Sequence, residues 1–179
     1  MEDALNTIQL EVAVYNHYWR KTFAILDKIY IGSHECDILL IQNNQYITEV
    51  ELKISIQDLK RDFKKKVYND HPIFKSWKIE KTKKNIKKLI RKKYYCVPKE
   101  LYNKHILLIE ELIPKEHGIL LGFKSKNGNL CIIEKRKPQI NITATKLINS
   151  ELINLLRCQT HRIWRIRKNL IKKSHVLLH

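Results

Sequence analysis

Apolar residues recur at spacings of three and four through Leu5, Ile8, Val12, Tyr15 and Trp19, a stripe that predicts a helix over residues 3–19. FAILDKIYIG (23–32) then predicts a strand ended by Gly32, and ECDILLI (35–41) a second. QNNQ supplies the Asn-rich turn of a hairpin into a third strand, ITEVELKI. Ser55 followed by Asp58 reads as an N-cap and capping box, and Ile56, Leu59, Phe63 and Val67 recur along one face of the helix that follows. Pro72 interrupts the pattern, after which WKIEKTKKNIKKLIRKK (77–93) predicts an exposed, lysine-dense helix with Ile79, Ile86, Leu89 and Ile90 as its sparse apolar positions. YYCV before Pro98 predicts a buried strand, KELYNKHILLIEEL a helix or turn, and HGILLGF (117–123) a further strand. Lys126-Asn127-Gly128-Asn129 marks a hairpin turn before LCIIEK. The chain ends in a helix from about Ser150 to Lys173, with Leu152, Leu155, Leu156, Ile163, Ile166 and Leu170 as its apolar positions. The fold class is α/β, with one helix, three strands and then alternating helices and strands.

Within the third strand, ITEVELKIS (47–55) sets Glu49, Glu51 and Lys53 on alternate positions, with Val50, Leu52 and Ile54 between them. Side chains alternate across a strand, so the three charges share one face. Such a face is either solvated or holds something.

Composition and charge bear on that choice. With 179 residues and 44% apolar content, the chain can bury one real core. The acidic N-terminus MEDALNTIQL lacks the pattern of a secretory signal, and no apolar run approaches the roughly 18 residues of a membrane span, so a cytoplasmic protein with no membrane partner is expected, in a bacterium or in the host cell if virus-encoded. Cys36, Cys96, Cys131 and Cys158 are scattered without a CxxC or a Cys/His cluster, which suggests neither zinc nor a disulfide framework. The formal charge of +17 is unevenly spread. Residues 1–52 hold 3 Lys/Arg against 8 Asp/Glu, residues 53–93 hold 16 against 4, and residues 94–179 hold 16 against 6. Acids enclosed by basic segments suit a protein that grips a polyanion around an acidic pocket. A bias of 27 Lys to 8 Arg in an Ile- and Asn-rich chain also follows from AT-rich coding alone, so charge by itself leaves a solvated surface open.

If the second and third strands are hairpin neighbours, Asp37 and Glu51 lie across one face, close enough for both carboxylates to reach one ion. Magnesium takes one or two carboxylates and keeps several waters, which suits Asp37 and Glu51 with the Leu52 backbone carbonyl as a third ligand. Lys53, two positions on, flanks whatever Glu51 binds. Asp37, a gap of thirteen residues, and Glu51-Leu52-Lys53 within an α-β-β-β-α-β order resemble the PD-(D/E)xK nuclease superfamily. The run ECDILLIQNNQYITEVELKISIQDLKRDFKKK (35–66) is similar to a branch common in phages and bacteria, with an E-x-D strand, an E-x-E-x-K strand and a lysine-rich helix; weaker similarity covers roughly residues 3–123.

This resemblance implies a restriction-endonuclease-like αβββαβ core, a central mixed sheet flanked by helices. The core spans residues 1–125, including a basic helical insertion at about 75–93, and residues 126–179 add a C-terminal hairpin and basic helix packed on the same domain. It also implies Asp37, Glu51 and Lys53 as catalytic residues and Mg²⁺, replaceable by Mn²⁺, as cofactor. The acids hold the ion, a metal-bound water attacks phosphorus, and the lysine positions that water and opposes the developing charge. No proline precedes Asp37, a departure the superfamily tolerates. Glu49, Glu11 and Glu35 are accessory candidates whose plainer reading is surface solvation, while Asp58 and Asp62 read as helix-capping and surface charges. The expected partner is nucleic acid, DNA before RNA, held at phosphates by Lys60, Lys64, Lys65, Lys83, Lys84, Lys87, Lys88 and Arg91. The Leu/Ile face of residues 150–171 offers a homodimer surface, although intramolecular packing is its simpler use.

Competing motifs are incomplete. NDHPI (69–73) resembles the start of an HNH nuclease without its later Asn and His, and KIYIGS (28–33) is half of a GIY-YIG pair. No glycine-rich phosphate loop fits a chain with 4 glycines, and no His pairs with Glu in a metalloprotease spacing. The alternative function is a non-catalytic nucleic-acid-binding or partner-binding protein that keeps the fold, in replication, packaging or host interference.

Overall fold

The structure, a computed structural model, describes residues 5–31, 34–68 and 89–176. The chain forms two compact units, Met1–Lys146 and Leu147–His179. The first runs α1 (Thr7–Tyr18), β1 (Ala24–Ile31), β2 (His34–Ile41), β3 (Ile47–Leu52), α2 (Ile56–Tyr68), β4 (Ile90–Pro98), α3 (Lys99–Lys104), α4 (Ile106–Leu112), β5 (Gly118–Lys124) and β6 (Leu130–Arg136); α5 (Asn149–Val176) belongs to the second. The hairpin strand β6, grouped with the C-terminal helix in the sequence pattern, is thus part of the first unit.

Six strands form one sheet in the order β1-β2-β3-β4-β5-β6. β1, β2 and β3 pair antiparallel in succession, whereas β4 and β5 run parallel to β3. β6 closes the far edge antiparallel to β5 through the turn at Gly128, whose φ of 81° suits glycine. One face of the sheet is covered by α1, with Leu10, Ala13 and Val14 against Ile38, Leu40, Val50, Leu52, Cys96 and Leu120. On the other, Leu59 of α2, Tyr102 of α3 and Ile109 of α4 pack on Tyr95, Val97, Ile119 and Leu121. Both faces of the central strands are therefore buried, and β3 is buried along its whole length.

Two elements differ from the sequence pattern. The α1 stripe of Ile8, Val12, Tyr15 and Trp19 is exposed, and Leu10, Ala13 and Val14 face the sheet instead. Small Ala13 permits close approach, as does Gly122 of β5, where an added Cβ would collide with Leu10. The second difference is at Ile90–Lys93, expected at the end of a basic helix. These residues begin β4, with Ile90 beside Ile47, Lys92 beside Thr48 and Lys93 beside Glu49. Lysine density suggests an exposed helix, but pairing with β3 and the Lys93 ion pairs described below outweigh helix propensity. Residues 77–88 of that expected helix lie outside the described residues.

Candidate functional site

β3 brings the site together. The charged side of ITEVELKIS is not solvated: Glu49 is 1% exposed, Glu51 5% and Lys53 6%. Burying three charges requires partners, since an isolated buried ion costs several kcal/mol. The neighbouring elements supply them.

From β2 comes Asp37. The β1–β2 ladder pairs Asp27 with Ile38 and Ile29 with Cys36 but skips the step between, where Lys28 takes a φ of 47°. The Asp37 carboxylate, one third exposed, accepts the Leu52 N–H at 2.9 Å and lies 3.8 Å from the Lys53 ammonium. Glu51 lies 3.1 Å from the same ammonium through Oε2. Asp37, Glu51 and Lys53 therefore converge at the end of β3, where the Lys53 N–H bonds the Cys96 carbonyl of β4 and holds the chain extended before α2 begins.

α2 follows β3 at once. Ser55 Oγ accepts the Asp58 N–H at 3.1 Å, the expected cap, and Asp58 pairs with Arg61 on the surface. One turn later Asp62, read from sequence as a surface charge, turns inward instead. Its Oδ1 lies 3.7 Å from Lys53 and its Oδ2 accepts the Tyr95 hydroxyl at 3.2 Å. The signal was position: Asp62 lies three residues after Leu59, which is fully buried against the sheet.

Lys93 of β4 is the second residue that sequence patterning missed. It sits beside Glu49 in the parallel ladder, its ammonium 2.9 Å from Glu49 Oε2 and 3.5 Å from Glu51 Oε1. Its alternation with Tyr95 and Val97 puts it on the inward face, but three consecutive cations conceal that alternation. Among the described residues the cluster thus holds four carboxylates and two ammonium groups.

The electrostatics reflect burial as much as pairing. Burial pushes the Glu51 carboxyl up to about 7; Lys93 and Lys53 draw it down, while neighbouring Glu49 drives it further up. Burial opposes the charge on Lys53, yet Glu51, Asp62 and Asp37 outweigh it and raise its pKa. Lys93 behaves likewise, with Glu49 and Glu51 overcoming its desolvation. Burial, with Glu49 and Glu51 beside it, also raises the Cys36 thiol and keeps it protonated. Cys36 and Cys96 are buried, Cys131 is half-buried, Cys158 is exposed, and all four are free.

The remaining candidates are placed as follows. Glu11 reaches Lys28 at 3.4 Å, and its Oε1 is buried without a hydrogen-bond partner among the described residues. Glu35 is exposed on β2 opposite Tyr30. Lys60 is exposed on α2. Lys64 and Lys65 are in the same helix, their side chains outside the described residues, and Lys83, Lys84, Lys87 and Lys88 lie outside them altogether. Arg91, expected on a helix, is on β4 with its guanidinium 3.8 Å over the Tyr46 ring. Among the described residues no cluster of three His, Cys, Asp or Glu side chains is arranged as a ready metal cage, and no helix is long and apolar enough to cross a membrane.

No protein-family description matches the chain. No curated protein matches it either. Among solved structures, a protein of unknown function from Silicibacter pomeroyi is similar, with a TM-score of 0.58 at 16% identity, over 96% of this chain and 95% of that one. At that identity the likeness concerns the fold alone: a mixed α/β sheet flanked by helices.

Proposed function

We propose that this protein is a metal-dependent nuclease of the PD-(D/E)xK type, with a restriction-endonuclease-like core, that hydrolyses phosphodiester bonds, of DNA before RNA. The observation that carries this reading is the convergence of Asp37, Glu51 and Lys53 at the end of β3, the ammonium 3.8 Å from one carboxylate and 3.1 Å from the other. The donor set suits Mg²⁺. Two hard carboxylates from adjacent strands face each other. The Leu52 N–H points at Asp37, and the Leu52 backbone carbonyl would be the third ligand beside the two carboxylates. A divalent ion held there supplies Lewis-acid polarisation of the phosphate and a water of lowered pKa. Asp37, partly open to solvent, marks the side from which a phosphate enters. Lys53, kept charged by its carboxylate neighbours, offsets negative charge that grows on the phosphorane oxygens. Asp62, fixed by the Tyr95 hydroxyl, holds Lys53 from the α2 side.

A non-catalytic binding protein is the second reading, and one observation favours it: Lys53 and Lys93 by themselves neutralise part of the acidic cluster. One experiment separates the two. Supercoiled, linear, single-stranded and branched DNA, and RNA, are incubated with the protein in Mg²⁺, Mn²⁺ or EDTA. Cleavage in Mg²⁺ that Asp37→Asn and Glu51→Gln each abolish supports the nuclease. Binding without cleavage in either metal supports the alternative. Lys53→Ala is expected to lower the rate by about 10² or more with DNA affinity nearly intact; equal losses of rate and affinity would make Lys53 an ordinary phosphate contact.

A further inference from the structure

Glu51 has an ammonium group on each of its oxygens, Lys53 facing Oε2 at 3.1 Å and Lys93 facing Oε1 at 3.5 Å. A carboxylate bridging two cations is the arrangement of two-metal phosphoryl-transfer sites, in which the ions stand about 3.5–4 Å apart. Here the far side of that bridge already has its counter-charge. Glu49, the extra carboxylate a second ion would need, is 1% exposed and gives its Oε2 to Lys93 at 2.9 Å.

The two lysines are differently held. Lys53 follows the last residue of β3 and faces three carboxylates at 3.1–3.8 Å, among them the partly open Asp37. Lys93 lies within an interior strand, directly beside Glu49 in the ladder, and its side chain is 12% exposed. Moving its ammonium away would leave Glu49 a buried charge without that partner. Room for an incoming ion is therefore on the Asp37 side, and the Glu49 side is closed.

We propose that the Lys93 ammonium acts as a built-in second cation, filling the Glu49–Glu51 side of the cluster so that the site takes one divalent ion and not a pair. This rests on the reading of Asp37 and Glu51 as metal ligands. Lys93 is a positioning residue: it acts on the ion and the phosphate through Glu51.

The test titrates Mn²⁺ alone into metal-free full-length protein, following stoichiometry by calorimetry and the ion's surroundings by electron paramagnetic resonance, with Asp37→Asn as the blank for adventitious binding. Wild type is expected to take one Mn²⁺ per chain beyond that blank, with the spectrum of an isolated ion. Two ions with a spin-coupled spectrum would overturn the proposal and leave the metal-site reading standing. No Mn²⁺ beyond the blank would remove the metal-site reading, and the proposal with it. Lys93→Met, which removes the ammonium from Glu49 and from the second oxygen of Glu51, is expected to raise the stoichiometry from one to two and produce the coupled spectrum. Lys93→Arg, which keeps the charge, should stay at one. A folded Lys93→Met that still binds one ion would reduce Lys93 to a structural ion-pair partner. The wild-type spectrum decides the matter even if Lys93→Met does not fold.

Discussion

Glu51 holds two ammonium groups and still has its carboxyl pushed up to about 7, because burial and Glu49 outweigh them. A raised folded-state pKa has a definite sign. Between the usual carboxylate value near 4.5 and about 7, the folded protein binds a proton that the unfolded chain releases, so this group's contribution to stability is full below 4.5 and is lost as pH rises through 7. In EDTA, the urea midpoint of wild type is therefore expected to fall from pH 4.5 to 7 more than that of Glu51→Gln, which cannot ionise. Mg²⁺ competes with that proton and should recover stability most at the upper end of the range. Parallel slopes for the two proteins would remove Glu51 as the titrating group. The same residue shows what sequence makes legible. Glu51 and Lys53 share a strand face because the strand period is two, and that needs no tertiary knowledge. Lys93, Asp62 and Tyr95 reach the site only through strand pairing and helix packing, and the local sequence of Lys93 and Asp62 resembles a solvated basic surface. The burial of Glu49 and Glu51 likewise depends on α2 and β4 closing over a face that alternation alone leaves open to water.

Elements were easier to recognise than their orientations. α1 forms where its apolar spacing placed it, yet it offers two stripes of similar strength, and the choice between them is made by β5. Gly122 leaves space for Leu10, and Ala13 lets the helix lie close, so the Leu10 stripe packs and the bulkier Ile8–Trp19 stripe does not. Gly122→Val should push α1 outward at a cost of about 1–3 kcal/mol, seen in the denaturation midpoint. An unchanged midpoint would mean that α1 shifts freely and that its face is not set by this contact. On the neighbouring strand, Arg136 of β6 ties the α4–β5 connection down: its guanidinium donates to Glu110 at 2.7 Å and to the carbonyls of His117, Ile113 and Pro114. Nothing in the local sequence marks this arginine, whose partners lie 19 to 26 residues away. Arg136→Lys should recover little of what Arg136→Ala loses, about 2–3 kcal/mol, because one ammonium cannot reach acceptors spread over the arginine fork. A lysine variant as stable as wild type would show that charge, and not the fork, holds the connection.

Across the whole molecule the separation of charge legible in the sequence takes on a physical form in part: Glu49 and Glu51 are buried on the central strand β3 with Lys53 and Lys93 beside them, and other basic residues are open to solvent. Lys60 is exposed on α2, and Arg157, Arg165, Arg167 and Lys168 are exposed on α5, where Trp164 and Leu170 are exposed too. A surface made only by coding bias and a nucleic-acid track differ in one measurable respect, the release of counterions on binding. Changing Lys83, Lys84, Lys87 and Lys88 to Gln should weaken DNA binding at low salt and flatten the plot of log K against log [salt] by roughly one unit of slope for each phosphate no longer neutralised. Cleavage at saturating DNA should stay near wild type, because Asp37, Glu51 and Lys53 are untouched. If that slope does not change, the segment leaves the binding surface, and Arg157, Arg162, Arg165, Arg167 and Lys168 become the next set to neutralise. A slope that survives both sets of changes would take both segments out of the binding surface and assign the phosphate contacts to other basic residues among the 35 Lys and Arg.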